Sequence, residues 1–110
     1  MFFGKPRFFL SMAQAREELA RDASIRLVDV RGEGEYATGR IPGSVNLPLE
    51  RLAPAKGVLP DLQARIFVYC LSGARSRMAL AQLAGMGYKN VTDIGGILQW
   101  TGSIEGTRVV

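Results

Sequence analysis

Histidine is absent from this sequence, and cysteine and tryptophan occur once each. Without histidine there is no Ser-His-Asp triad, no Cys-His pair and no imidazole base near neutral pH. The usual Cys/His zinc site is excluded within one chain. A lone cysteine cannot close an internal disulfide, so the fold must rest on its hydrophobic core. Long apolar runs are missing too. Met1 to Leu10 is rich in phenylalanine, but Gly4, Lys5, Pro6 and Arg7 interrupt it. That pattern is unlike a signal peptide and too broken to span a membrane. A reducing, cytoplasmic location is expected, in which the glycosylation-like Asn90-Val91-Thr92 carries no meaning.

What is present describes a small globular domain. The 110 residues are 47% hydrophobic and 22% charged, an ordered rather than a disordered composition. A chain of this length buries roughly two-thirds of its unfolded surface. One domain over residues 1–110 is expected, with its core at about 8–100. The net charge is +4, which serves solubility or an anionic ligand. The basic residues form no run and no aromatic-rich signature accompanies them, so nucleic acid is not an expected partner. Acidic residues are missing between Asp61 and Asp93, where Arg65, Arg75, Arg77 and Lys89 lie.

Element types alternate along the chain. Phe8-Phe9-Leu10 reads as a short first strand. Ser11 suits a helix N-cap, with a capping-box-like acid expected near the start of a helix over Ala13 to Arg21. Ile25 to Val30 is a strand, and Glu33 to Ala37 a short helix closed by Gly39. Ile41-Pro42-Gly43-Ser44 is a turn, Val45 to Leu47 is extended, and Leu49 to Leu59 forms irregular helical turns. Ile66-Phe67-Val68-Tyr69 suits a central parallel strand buried on both faces. Arg77 to Met86 reads as a mostly buried helix with Gly87 at C′. Asn90 to Ile94 is the last strand, and Gly95-Gly96 turns the chain into a short helix ending near Trp100. These strands predict an α/β fold around a mainly parallel five-stranded sheet with helices on both faces. In such sheets ligands bind at the carboxyl ends of the strands. Two polar strand ends meet that condition, Asp29-Val30-Arg31 and Tyr69-Cys70.

Cys70 follows the central strand directly, and Leu71-Ser72-Gly73-Ala74-Arg75-Ser76 leads on to a helix. A strand, a glycine-bearing loop and a helix N-terminus make an anion cradle, because backbone N–H groups turn inward. Such surroundings favour a thiolate, the reactive form of cysteine, and Arg75 adds charge nearby. A small buried hydrophobe at a strand end is the plain alternative for a lone cysteine.

Three segments resemble the single-domain rhodaneses, a sulfurtransferase family. Leu27-Val28-Asp29-Val30-Arg31, Glu35-Tyr36 and Gly39-Arg40-Ile41-Pro42-Gly43-Ser44 resemble its first signature. Cys70 to Ser76, read as C-x-x-G-x-R-S, resembles its active-site loop. Gly87-Tyr88-Lys89-Asn90-Val91, with Gly95-Gly96-Ile97 and Trp100, resembles its closing signature. Arg40 replaces the family's usual histidine, and Ser44 its usual alanine. The resemblance implies a three-layer rhodanese-like domain that runs on a persulfide. Cys70 would take the outer sulfur of a small anionic donor such as thiosulfate. A thiophilic acceptor, cyanide or a thiol, would then remove it in a second half-reaction. The amides of Leu71, Ser72, Gly73, Ala74, Arg75 and Ser76 would hold the anionic sulfur, helped by Arg75 and the serine hydroxyls. No metal or organic cofactor is required. A protein acceptor is an alternative to a small molecule, and a monomer or weak dimer is expected.

Other residues have plainer readings. Arg31 and Glu35, with Asp29 near, read as a structural ion pair fixing the turn, or as positioning groups for the site. Trp100 and Tyr69 read as core, and Phe2 and Phe3 as cover for a sheet edge. Two rival functions stand beside sulfur transfer. A Cys-based phosphatase or arsenate reductase of related fold places five residues between Cys and Arg, whereas four separate Cys70 from Arg75. A non-enzymatic interaction or sulfur-carrier module is the other, although such docking domains often lack the cysteine.

Overall fold

A computed structural model describes residues 8–106; Phe2 and Phe3 lie outside the described residues. The described chain runs through α1 (Met12–Arg21), β1 (Arg26–Asp29), α2 (Glu33–Thr38), β2 (Val45–Asn46), α3 (Ala55–Val58), β3 (Arg65–Cys70), α4 (Ala74–Gly85) and β4 (Asn90–Gly96). Single 3-10 turns at Leu49–Arg51 and Ile97–Gln99 complete it.

The sheet order is β2-β1-β3-β4 and every pairing is parallel. Successive side chains of a strand point to opposite faces, and β3 feeds two cores in this way. Ile66, Val68 and Cys70 join Val28, Leu59, Ala79 and Leu83 on the face covered by α3 and α4. Phe67 and Tyr69 join Leu27, Ile41 and Ala15 on the face covered by α1. This explains why the strand reads as a continuous apolar run. Strand order reverses at β1, since β2 lies on one side of it and β3 on the other. A crevice therefore opens at the carboxyl ends of β1 and β3.

The sheet has four strands rather than the five expected. The Phe8–Leu10 segment makes only one parallel bridge, Phe9 to Asp93. Asp93 N–H donates to Phe8 O at 2.8 Å and Leu10 N–H to Asp93 O at 3.1 Å. Phe8 and Phe9 are each 56% exposed, so little burial rewards a longer ladder at this edge. Ser11 then turns the chain straight into α1. Its Oγ accepts from Gln14 N–H at 3.0 Å, and Gln14 Oε1 accepts from Ser11 N–H at 2.9 Å. The reciprocal cap thus uses an amide side chain, not the acid expected.

Two further boundaries differ. α4 begins at Ala74, three residues before the expected Arg77, because Gly73 at φ +117° turns the chain abruptly into the helix. It ends as read: Gly87 at φ +102° donates to Ala84 O, and Tyr88 N–H donates to Leu83 O, a Schellman closure. Gly95-Gly96 is not a turn after the strand but its last two residues. Two steps along β3, Val68 to Cys70, face three along β4, Asp93 to Gly96, and Gly95 absorbs the extra residue at φ +89°.

Candidate active site

Cys70 ends β3 with 1% of its surface exposed. Gly73 N–H donates to its sulfur at 3.0 Å. The thiol in turn reaches Ser76 Oγ at 3.5 Å. Ser76 is fully buried, and its hydroxyl donates to Gly73 O at 3.1 Å. The loop thus closes on itself around the sulfur. α4 starts at Ala74, so its first N–H groups have no partner within the helix and lie at the positive end of its dipole. Of the remaining loop residues, Leu71 is 39% exposed and Ser72 is exposed.

Arg75 reaches across the crevice to α2. Its Nη1 and Nη2 donate to Glu35 Oε1 and Oε2 at 2.6 and 2.9 Å. Glu35 Oε1 also accepts from Gly32 N–H at 3.0 Å. One carboxylate therefore ties the loop after β1 to the loop after β3. The Arg75 hydrogen bonds, aided by the Gly32 amide against some burial, hold Glu35 at about 2, down from its ordinary 4.5. The Arg75 guanidinium is held above its ordinary range chiefly by Glu35, with the Cys70 charge contributing less. Its positive charge is therefore largely matched by a carboxylate.

The ion pair expected between Arg31 and Glu35 is not formed. Arg31 pairs with Asp29 instead, its Nη2 2.7 Å from Oδ2, both side chains buried. Burial opposes the Arg31 charge, but the Asp29 hydrogen bonds outweigh it and raise the guanidinium above its ordinary value. Arg31 Nη2 also donates to Gly39 O at 2.6 Å, and Asn46 Nδ2 donates to the carbonyls of Asp29 and Arg31. This network sets the crevice wall at the end of β1. Arg40 lies with its guanidinium 4.8 Å from the Tyr36 ring centre and its Nε 3.6 Å from Glu105.

Tyr69 is core. Its buried hydroxyl accepts from Ile41 N–H at 3.1 Å and lies 3.1 Å from Ser44 Oγ. Burial, only partly offset by these hydrogen bonds, pushes its phenol up to about 12. Trp100 packs on the α1 face and lies against Arg16, not at the Cys70 loop. Sequence reasoning read Gly96 as part of a turn and of the closing signature, without a contact to the cysteine loop. A Cβ there would sit 2.1 Å from Leu71 O and 2.6 Å from Ser72 Cα. The cysteine loop rests directly on β4 at Gly96, where there is no side chain. The glycine pair at the strand end was the available signal.

The protein is thus a parallel α/β domain with a buried thiol at the end of its central strand, held by a loop amide beside the switch-point crevice. The family model of the Rhodanese-like domain matches residues 11–103, and the chain belongs to that family. It is 34% identical over 90 residues to "Adenylyltransferase and sulfurtransferase uba4" of Ogataea parapolymorpha, covering 81% of this chain and 23% of that one. The chain therefore spans about a quarter of that relative's length. It is 36% identical over 85 residues to a "Sulfurtransferase" of Allochromatium vinosum, covering 76% of this chain and 78% of that protein. The solved structure "rhodanese with anions from E. coli" superposes with a TM-score of 0.71 at 27% identity, over 76% of this chain and 99% of that one. The two curated relatives carry the name sulfurtransferase. Among the described residues, no helix is long and apolar enough to cross a membrane.

Proposed function

We propose that this chain is a thiosulfate sulfurtransferase-type enzyme with Cys70 as its nucleophile. The Cys70 thiolate attacks the outer sulfur of a donor such as thiosulfate. A Cys70–sulfur bond forms while the donor S–S bond breaks, and its electron pair leaves with sulfite. A thiophilic acceptor then attacks the outer persulfide sulfur, and the pair from that second S–S bond restores the thiolate. Cyanide leaves as thiocyanate, and a thiol leaves as its own persulfide. The reaction is covalent catalysis in two half-reactions.

The observation that carries this reading is the Gly73 N–H held 3.0 Å from Cys70 Sγ. A donor so placed meets the charge on the sulfur in the resting thiolate and holds Sγ in place when it is loaded. The neighbouring amides from Leu71 to Ser76 supply further donors to the terminal sulfur and to the anionic donor. Arg75, tied to Glu35, holds the shape of this loop. The residues themselves do the chemistry, with no cofactor required. The loop suits a small-molecule acceptor and an exposed protein thiol alike.

Thiosulfate treatment is expected to add one sulfur atom to Cys70, seen in the intact mass under non-reducing conditions, and cyanide to remove it. Cys70→Ser is expected to lose the adduct and keep the fold. An unchanged mass after thiosulfate refutes the reading. Release of sulfur to cyanide separates an enzyme from a carrier that yields its sulfur only to a protein.

A further inference from the structure

A second feature lies beside the cysteine loop. A cleft of about 590 Å³ runs past Ser72, Gly73 and Ala74 toward Phe9, Arg77 and Asp93. That volume is in the range of sites for organic molecules rather than a lone small anion. One wall is Gly73, whose amide touches Cys70 Sγ. Arg77 is exposed, with its guanidinium 5.7 Å from the Phe9 ring centre. Among the described residues no carboxylate pairs with it. The other charged group, Asp93, is 5% exposed, and its Oδ1 accepts from Gly95 N–H at 2.8 Å. Among the described residues, the cleft therefore offers a cation without a carboxylate partner over an aromatic ring, and a buried carboxylate that discourages an anion from the opposite end.

We infer that Arg77 selects the acceptor, favouring thiols that bear a carboxylate over neutral or cationic ones. The inference rests on the sulfurtransferase reading of Cys70. The acceptor sulfur enters the loop, its carbon chain lies on Phe9, and its carboxylate meets Arg77. Arg75 does not fill this role, because Glu35 already occupies both arms of its guanidinium. The position of Arg77 follows from α4. It stands one turn beyond Gly73, whose carbonyl accepts its N–H at 3.3 Å.

The test is a charge series of thiols similar in size: 3-mercaptopropionate, 2-mercaptoethanol and cysteamine. Each is assayed as acceptor from persulfidated protein. Comparing each thiol across variants cancels its intrinsic reactivity. Arg77→Gln should lower the preference of kcat/KM for mercaptopropionate over mercaptoethanol by about two- to fivefold, the scale of one exposed charge pair. Arg77→Glu should move the preference toward cysteamine. Preferences that stay the same in both variants overturn the inference. A second readout does not need the chemistry. The unreactive 3-(methylthio)propionate should shift NMR signals of Phe9, Ser72 and Arg77 in the wild-type protein and not in Arg77→Glu. Absence of those shifts in the wild-type protein also overturns it. Absence of the persulfide alone counts against the sulfurtransferase reading and leaves this binding result standing.

Discussion

The carboxylate of Glu35 joins the two loops of the crevice, and Glu35→Gln removes its charge while keeping its shape. Glutamine can still accept from Gly32 N–H, so the variant reports mainly on the Arg75 pair. A carboxyl lowered from 4.5 to about 2 corresponds to at most about 3.4 kcal/mol at full conversion. The Glu35 side chain is 37% exposed and Arg75 32% exposed, so solvent screening reduces this to ~1–2 kcal/mol. The folded carboxyl titrates below the unfolded one. Its contribution is therefore complete above about pH 4.5 and is lost as pH falls toward 2. Urea unfolding followed by Trp100 fluorescence gives the difference between wild type and Glu35→Gln. That difference should be ~1–2 kcal/mol at pH 7 and should narrow through pH 4.5 to pH 3. Arg75→Gln should cost a similar amount, and the double variant less than the sum of the two. A gap that is the same at pH 7 and pH 3, or additive single costs, refutes the clamp. If the clamp holds the loop in shape, Glu35→Gln also slows persulfide formation by thiosulfate several-fold.

Gly96→Ala places a methyl group against the Leu71 carbonyl. It should destabilise the fold by ~2–4 kcal/mol and slow persulfide formation, read by thermal unfolding and intact mass; wild-type stability and rate would refute the close approach. Tyr69→Phe leaves the buried Ile41 N–H without its acceptor and should cost ~1–3 kcal/mol, measured by urea unfolding. The Tyr69 phenol, raised from 10 to about 12, keeps its proton longer in the folded state. It therefore contributes stability below about pH 10 that is lost as pH rises toward 12. In a spectrophotometric titration of the folded protein it should ionise later than in Tyr69→Phe difference spectra of the unfolded chain, and an ordinary midpoint would refute its burial.

The parts of this molecule that local pattern decides were legible before the structure. β3 is written in five apolar residues, Ile66 to Cys70, because both of its faces are covered. The cysteine loop is written in a strand end, a glycine and a following helix. What was not legible depends on partners distant in sequence. Arg31 and Glu35 stand four apart with Asp29 near, which reads as an ion pair fixing the turn after β1, and spacing alone does not say which acid Arg31 takes. Arg31 takes the acid two residues before it, at its own strand end. Glu35, left free, meets an arginine 40 residues away. No spacing rule connects them; the sheet does, since β1 and β3 are neighbours and bring both loops to one crevice.

The same neighbour relation explains how this chain arranges charge around a thiol without histidine. Asp29–Arg31 is internally matched and buried, and it holds the wall at the end of β1 rigid. Glu35–Arg75 is matched across the crevice and holds the loop. Neither pair leaves a net charge to act on the sulfur or on a ligand. Among the described residues, the groups that meet the sulfur are the Gly73 N–H and the Ser76 hydroxyl. Among the described residues, Arg77 in the adjoining cleft has no carboxylate partner. Shape and charge are thus divided among different residues. In the proposed reaction the paired arginines fix geometry, the loop amides meet the anionic sulfur, and Arg77 discriminates between ligands. Replacing a paired arginine should therefore appear as lost stability together with slower persulfide formation. Replacing Arg77 should appear as changed acceptor preference at nearly constant stability, because exposed residues without partners contribute little to folding. Thermal unfolding and acceptor preference measured on Arg75→Gln and Arg77→Gln side by side separate the two roles. A common pattern of loss in both variants would show that the charge around Cys70 acts as one undivided field.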